Sequence, residues 1–390
     1  MLPVPKRGFE LSEFEARMQK LQAGMHAQSL DVILLTTEPD VRYYTGFFTQ
    51  FWESPTRPWF VLLPLSGKPI AVIPEIGAAG MAATWVEDIH TWPAPQPSDD
   101  GITLLADVIA RLPKRFGRMG VPLGHESSLR MPAGDYQRLL VEIPSLEVAD
   151  ASLLLHQIRY VKSPAEIEKI RYICELTSDA FDALPLSLKV GESERQNCHR
   201  MRIDLLQRGA DYTPYLIAGS GPGGYDSIIM GPTDRVLEAG DVLIIDTGTT
   251  YDGYFCDFDR NFGFGYADDA LRRAYDVVYK ATDAGFEAAK PGATTTDVWA
   301  AMWMVMEAGG AMGNSVGRLG HGLGIELTEW PSNTADDRTV LEPGVVLTLE
   351  PGMEFASGKQ MVHEENILIT QDGAELLSRR AAPELPIIGS

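Results

Sequence analysis

Residues 241–258 read Asp241-Val-Leu-Ile-Ile-Asp246-Thr-Gly-Thr-Thr-Tyr-Asp252-Gly253-Tyr-Phe-Cys-Asp257-Phe258. Two β-rich runs, Asp241–Asp246 and Gly253–Phe258, flank Asp252-Gly253, a favoured pair for a tight turn, so the segment is expected to fold back as a β-hairpin. A second candidate hairpin lies downstream, Val345-Val-Leu-Thr-Leu-Glu350 with Met361-Val-His-Glu-Glu-Asn-Ile-Leu-Ile-Thr370. Each hairpin carries one carboxylate near the end of its first strand and another on its second, Asp246 with Asp257 and Glu350 with Glu364. Folding back brings each pair together.

Helices precede each hairpin. Ser163-Pro164-Ala165-Glu166 is a capping box with Pro at the first helical position, so a long helix starts there. Ser193-Glu-Arg-Gln196 caps a second helix that stops near Gly209. Helix-like segments at 268–288 and 296–308 stand before the second hairpin. Two helices and a hairpin, twice over, point to an internal duplication on element order alone. Upstream, a helical pattern at 12–29, strand-like runs from Asp31, at 59–64 and at 69–73, a helix at 102–112 and a strand at Gly117–Val121 describe an α/β domain. The expected domains are 1–155 and 156–390.

Composition sets the outer bounds. The 390 residues are 45% hydrophobic and 22% charged, as in a folded globular protein. Acidic side chains outnumber basic ones 54 to 33, a formal charge of -21, which argues against nucleic acid or an anionic membrane as partner. Cys174, Cys198 and Cys256 are too few for a disulfide framework and fit a reducing compartment. With no signal-like h-region and no long apolar span, the sequence is read as cytoplasmic.

Four converging carboxylates repel one another unless protonated or neutralised, and a pair of divalent cations neutralises them. His321, in Gly320-His-Gly-Leu-Gly, offers one imidazole beside them. Such an oxygen-rich set with one nitrogen suits Mn²⁺, Co²⁺, Fe²⁺ or Zn²⁺ better than it suits a thiolate zinc site. Taken together, Asp246 through Arg260, Gly320-His321-Gly-Leu-Gly, Glu350-Pro-Gly and Glu364-Glu-Asn-Ile-Leu-Ile-Thr370 resemble, in order and spacing, the signatures of the pita-bread metallopeptidases, a family that includes prolidase, aminopeptidase P and methionine aminopeptidase. Tyr43-Tyr-Thr-Gly-Phe47 resembles the creatinase-type N-terminal domain. The resemblance implies an α+β chain: a C-terminal pita-bread (creatinase/aminopeptidase) fold with pseudo-two-fold helix-helix-hairpin halves, preceded by a smaller α/β domain. It implies Asp246, Asp257, His321, Glu350 and Glu364 as ligands of two metal ions, manganese before cobalt, zinc or iron, with Asp257 and Glu364 bridging. Hydrolysis by a metal-bridging water would follow, Glu350 carrying its proton to the leaving nitrogen.

Departures from that pattern fall around the substrate. Family peptidases carry a second His seven residues after the ligand His; here the run is Thr328-Glu329-Trp330-Pro331. Another substrate-contacting His falls by counting at Ile229. The Arg two residues before the last Glu ligand is replaced by Val362, with His363 beside it. Thr328, Glu329, Trp330, Ile229 and His363 are therefore the candidate substrate-binding residues. The expected activity is that of an Xaa-Pro dipeptidase or aminopeptidase P relative. The alternative is a small-molecule hydrolase or lyase of the same fold, resembling creatinase, ectoine hydrolase or dimethylsulfoniopropionate lyase, and a catalytically dead binding module is a third reading. The aromatic segment 47–59 reads first as ordinary inter-domain packing; a homodimer is also expected, with Trp52 or Trp59 near the cleft. Three signals carry less. Gly219-Ser-Gly221-Pro-Gly-Gly224 lacks the helix a dinucleotide site needs and is expected to be a tight loop. Cys256 is expected to face away from the ligands, and Met302 to Met306 to be a packed helix.

Overall fold

Asp252 and Gly253 both adopt positive φ, 50° and 83°, the geometry of a two-residue hairpin turn, and the runs they join are two antiparallel strands of 11 residues each. The computed structural model describes residues 2–389. Its contacts divide between Lys6–Arg159 and a second unit that starts at Tyr160 and takes in the segment ending at Pro5. Pro5 belongs with the second unit because the Tyr251 hydroxyl donates to its carbonyl at 2.6 Å.

The first unit is built on six strands, β1 (Val32–Leu35), β2 (Phe60–Pro64), β3 (Ile70–Pro74), β4 (Asp88–Trp92), β5 (Arg118–Val121) and β6 (Glu147–Asp150). They lie in the order β4-β3-β2-β1-β5-β6, with β2 antiparallel to both β1 and β3 and the other pairs parallel. The helices are α1 (Leu11–Ala27), α2 (Glu38–Thr45), α3 (Ala78–Ala82), α4 (Ile102–Arg111), α5 (Ala133–Glu142) and α6 (Ser152–Tyr160). β1 is buried along its whole length, which is why it reads as an unbroken apolar run rather than an alternation. The aromatic segment divides into packed and exposed rings. Trp52 and Trp59 are core residues of this unit, 5.9 Å apart between ring centroids, and Trp59 also meets Phe47 at 5.2 Å. Phe48 and Phe51 are the exposed rings, each with a guanidinium over its face, from Arg42 and Arg57 respectively.

In the second unit the helix starts are those read from sequence. Helix α7 (Pro164–Ala183) and α8 (Glu194–Arg208) each begin with a complete capping box, and Gly209, at φ 115°, ends α8. After β7 (Tyr212–Pro222), β8 (Asp241–Tyr251) and β9 (Tyr254–Phe264) come α9 (Asp269–Ala288) and α10 (Thr295–Ala308). The remaining strands are β10 (His321–Gly322), β11 (Glu329–Ser332), β12 (Val346–Leu349), β13 (Gly352–Ala356), β14 (Lys359–Val362), β15 (Glu365–Ile369), β16 (Ala374–Leu376) and β17 (Ile387–Ile388). One sheet runs β17-β9-β8-β7 and another β11-β10-β12-β15-β16. Two helices followed by antiparallel strands thus occur twice, as the duplication requires. Their shared core includes Val242, Ile244, Val278, Met302, Met306, Leu347 and Ile367.

Two local readings change. The glycine run 219–224 is mostly strand: Gly219 and Gly221 belong to β7, and a Cβ on either would lie within 2.5 Å of the Ser227 or Gly224 carbonyl that folds back over them. The downstream hairpin is also not a single ladder. β12 pairs with β15, but β13 and β14 form a separate two-stranded ribbon between them. The path breaks at Glu350-Pro351, where Pro has no N–H to give a ladder, and again at His363-Glu364.

Candidate metal centre

The register of β8 and β9 sets Asp246 opposite Asp259 and Gly248 opposite Asp257. Residues in register or two apart share a face, so Asp246, Asp257 and Asp259 lie on the side of Val242 and Ile244, facing the core. Cys256 and Phe258 take the opposite face and pack on α7, through Thr177 at 3.2 Å and Phe181 at 5.4 Å between ring centroids. From the other sheet, His321 opens β10, Glu350 follows β12 and Glu364 precedes β15. Both glutamates therefore stand where the backbone leaves a ladder. Gly320 fits its place because its φ is 128° and a Cβ there would lie 2.2 Å from the Thr348 carbonyl.

Asp257, His321 and Glu364 are all buried and each offers a ligand atom within 4.8 Å of the other two. His321 Nε2 is 2.9 Å from Glu350 Oε1 and 3.5 Å from Asp257 Oδ2. Its Nδ1 donates to the Gly322 carbonyl at 2.8 Å, so Nε2 is the atom left for a metal ion, and in the metal-free protein a proton on Nε2 faces Glu350. The Thr348 hydroxyl accepts the His321 N–H at 3.0 Å and donates to Glu350. Asp246 stands outside the trio and is hydrogen-bonded by Tyr215.

Without a cation this arrangement is electrostatically costly. Burial first, then the Glu350 charge, pushes Asp246 up to about 7. Burial and mutual repulsion hold Asp257 and Glu364 well above the usual carboxylate range. Glu350 goes the other way. Burial opposes its ionisation, but the charge and hydrogen bond of His321 and the Thr348 hydroxyl outweigh that and bring it to about 2. Asp246 Oδ1, Asp257 Oδ1 and Glu364 Oε1 are buried without a hydrogen-bond partner. Buried acceptors left in this way are what a hard divalent cation satisfies, so the donor set fits a divalent-metal site.

Residues 168–371 match the profile of metallopeptidase family M24, and residues 17–161 match the creatinase/prolidase N-terminal domain. The chain belongs to metallopeptidase family M24. It is a metal-dependent hydrolase of that family, with the pita-bread fold in its second unit. It is similar to a probable dipeptidase PepE of Mycobacterium tuberculosis, 28% identical over 373 residues that cover 94% of this chain and 95% of the relative. The crystal structure of dipeptidase PepE from Mycobacterium ulcerans superposes with a TM-score of 0.84 at 25% identity, covering 97% of this chain and 99% of that one. A recombinant prolidase from Thermococcus sibiricus shares the fold, with a TM-score of 0.86 at 23% identity, over 97% of this chain and 100% of that one.

The M24 chain treats its five candidate substrate residues differently. Ile229 is 77% exposed, in a loop that covers the free edge of β7 by the Ala218 N–H donating to the Met230 carbonyl. Thr328 takes a hydrogen bond from Arg318 at 3.3 Å, and the Arg318 charge acts on both Asp257 and Glu350. Trp330 packs on Tyr160, 4.9 Å between ring centroids. Glu329 and His363 are both buried with their polar atoms engaged. Glu329 pairs with Lys162 at 2.9 Å and accepts the Ile325 and Glu326 N–H groups, so its carboxylate fixes the loop after His321. His363 lies 1% exposed, with Nδ1 3.0 Å from the Thr282 hydroxyl and Nε2 2.9 Å from Arg380. Thr282 passes its own proton to the Val278 carbonyl, so a neutral imidazole completes a closed chain of donors. Burial and the neighbouring Arg380 and Arg260 charges hold its pKa well below the ordinary value.

Sequence reading missed three residues of the centre. Asn366 accepts the Asp257 N–H at 2.9 Å and donates to the Asp257 carbonyl, fixing the backbone of a ligand. Thr348 orients both His321 and Glu350. Asp259 is a fully buried acid on the ligand face, and the period of two from Asp257 was the signal that pointed to it.

Proposed function

We propose that this protein is a dinuclear M24 hydrolase that cleaves a carbon-nitrogen bond in the manner of an Xaa-Pro dipeptidase or aminopeptidase P. The observation that carries the reading is the buried Asp257–His321–Glu364 trio, joined by Glu350 and Asp246, with three carboxylate oxygens left unpartnered. Those five side chains would hold two divalent ions, and four carboxylates with one imidazole favour manganese. When bound, the ions supply Lewis acidity and an activated water. The protein's own part is to keep the ligands in place. His321 is oriented by the Gly322 carbonyl, Asp257 by Asn366, and Glu350 Oε1 by Thr348, which leaves Glu350 Oε2 to carry a proton toward the leaving nitrogen.

A second reading has its own support, because Ile229 and Thr328 occupy the places of both expected substrate imidazoles. A small non-peptide substrate cleaved by the same centre is consistent with that loss. Three buried free cysteines fit a reducing, cytoplasmic setting, and a homodimer is the proposed assembly. No helix among the described residues is long and apolar enough to cross a membrane.

The test is proline release from Xaa-Pro dipeptides and Xaa-Pro-Yaa tripeptides by metal-stripped enzyme reconstituted with Mn²⁺, beside an Asp257→Ala control. Release that disappears in the control supports the peptidase reading. Uptake of two Mn²⁺ with no peptide cleaved overturns it in favour of a small amide or metabolite.

A further inference from the structure

Among the described residues, four buried carboxylate oxygens lack any hydrogen-bond partner: Asp246 Oδ1, Asp257 Oδ1, Glu364 Oε1 and Asp259 Oδ2. Three belong to residues already read as ligands. The fourth is on a side chain with 0% exposure that the ligand set leaves unused.

Its placement is fixed by the ladder. Asp259 lies directly opposite Asp246 and two residues beyond Asp257, so the three share one face of the sheet. Its Oδ1 accepts the Glu364 N–H at 3.2 Å, which ties it to a fourth member of the centre. The nearest cation in sequence, Arg260, offsets part of its charge but gives its carboxylate no hydrogen bond. Arg260 projects from the other face of β9 and gives its N–H groups to the Asp259, Glu364 and Arg379 carbonyls and the Glu365 carboxylate. Like charges directly opposite one another in a ladder are destabilising, and a buried carboxylate without a donor costs more still. A cation shared between Asp246 and Asp259 removes both costs.

We propose that Asp259 is a sixth protein ligand of the metal centre, with Oδ2 turned to the ion that Asp246 holds. The inference rests on the two-metal reading above. A fifth carboxylate makes the pocket more anionic and harder, which raises affinity for an oxygen-preferring ion such as Mn²⁺ relative to Zn²⁺.

The experiment is calorimetric titration of Mn²⁺ into metal-free full-length enzyme, wild type against Asp259→Asn, with melting temperatures of both in the metal-free and loaded states. The expected result is a loss of about 10–100-fold in affinity for the weaker Mn²⁺ in Asp259→Asn. The metal-free variant should also melt higher than metal-free wild type, since one of two opposed acids has become neutral. Wild-type affinity within twofold for both ions overturns the proposal, because Asp259 would then be a protonated partner of Asp246 whose role the amide reproduces. Should Asp259→Asn not fold, Asp259→Thr is read by its Mn²⁺-induced rise in melting temperature, and a rise equal to that of wild type refutes the assignment. Wild-type enzyme that takes up no Mn²⁺ at all sinks the metal reading itself, a result distinct from failure of the Asp259 step.

Discussion

Replacing Lys162 with Met tests whether Glu329 holds the fold or touches substrate. The pair is 1% and 3% exposed with a 2.9 Å contact, and Glu329 also accepts two backbone N–H groups from Ile325 and Glu326. Removing the Lys162 cation takes away the counter-charge that lies 2.9 Å from this buried carboxylate, a change worth about 3–5 kcal/mol. Glu329→Gln alone strands the ammonium instead and should cost a similar amount. The double variant keeps an amide oxygen for the two loop N–H groups and buries no charge, so it should recover about 2 kcal/mol or more over either single change, a large coupling in a double-mutant cycle. Urea unfolding followed by circular dichroism on the Mn²⁺-loaded protein gives the stabilities, and steady-state kinetics give KM. For Glu329→Gln, KM should stay within about twofold while the unfolding midpoint falls. A Lys162→Met loss under about 1 kcal/mol refutes the reasoning. So does a Glu329→Gln variant of wild-type stability with a tenfold higher KM, which would return Glu329 to the substrate.

Two further outcomes follow from the same site. Asp246 at about 7, and Asp257 and Glu364 raised well above the ordinary range, mean that the metal-free folded state binds more protons than the unfolded chain above about pH 4. The share of metal-free stability that these acids contribute is present at low pH and is lost as pH rises through about 7; the neutral buried His363 opposes it below about pH 6.5, and Glu350, at about 2, adds no slope in that window. Melting temperatures of the metal-free protein at pH 5 and pH 8 should fall in that order, with the Mn²⁺-induced gain larger at pH 8, and a flat profile refutes it. Asn366→Ala removes both hydrogen bonds to the Asp257 backbone and should weaken Mn²⁺ binding by about 10-fold or more by calorimetry without touching a ligand.

The fold was legible where local chemistry decides it. Ser163, Ser193 and Gly209 mark helix ends because their hydrogen bonds are made within one turn, and Asp252-Gly253 fixes its hairpin by backbone conformation alone. Legibility failed where a residue's environment comes from another part of the chain. Gly219 and Gly221 read as a loop because their glycines are enriched in turns, yet they are needed in a strand for the approach of a carbonyl from a neighbouring loop. For His363 and Glu329 nothing local announces that Arg380 and Lys162 will reach them, the second across 167 positions of sequence.

That contrast bears on how activity in this chain is divided. The candidate ligands sit on or at the ends of paired strands, and His321, Asp257 and Glu350 are held by Gly322, Asn366 and Thr348, so the centre is set by the core and tolerates little change. The candidate substrate positions Ile229 and Thr328 sit outside those strands, one exposed and the other held only through Arg318. On the proposed reading, substitutions there would alter what is bound without disturbing how the metal is held. If the peptide panel fails, the search for substrate should therefore begin with compounds that suit the Arg318–Thr328 side of the centre. A small substrate with an anionic group beside the scissile bond meets that condition, because Arg318 already places positive charge against Asp257 and Glu350.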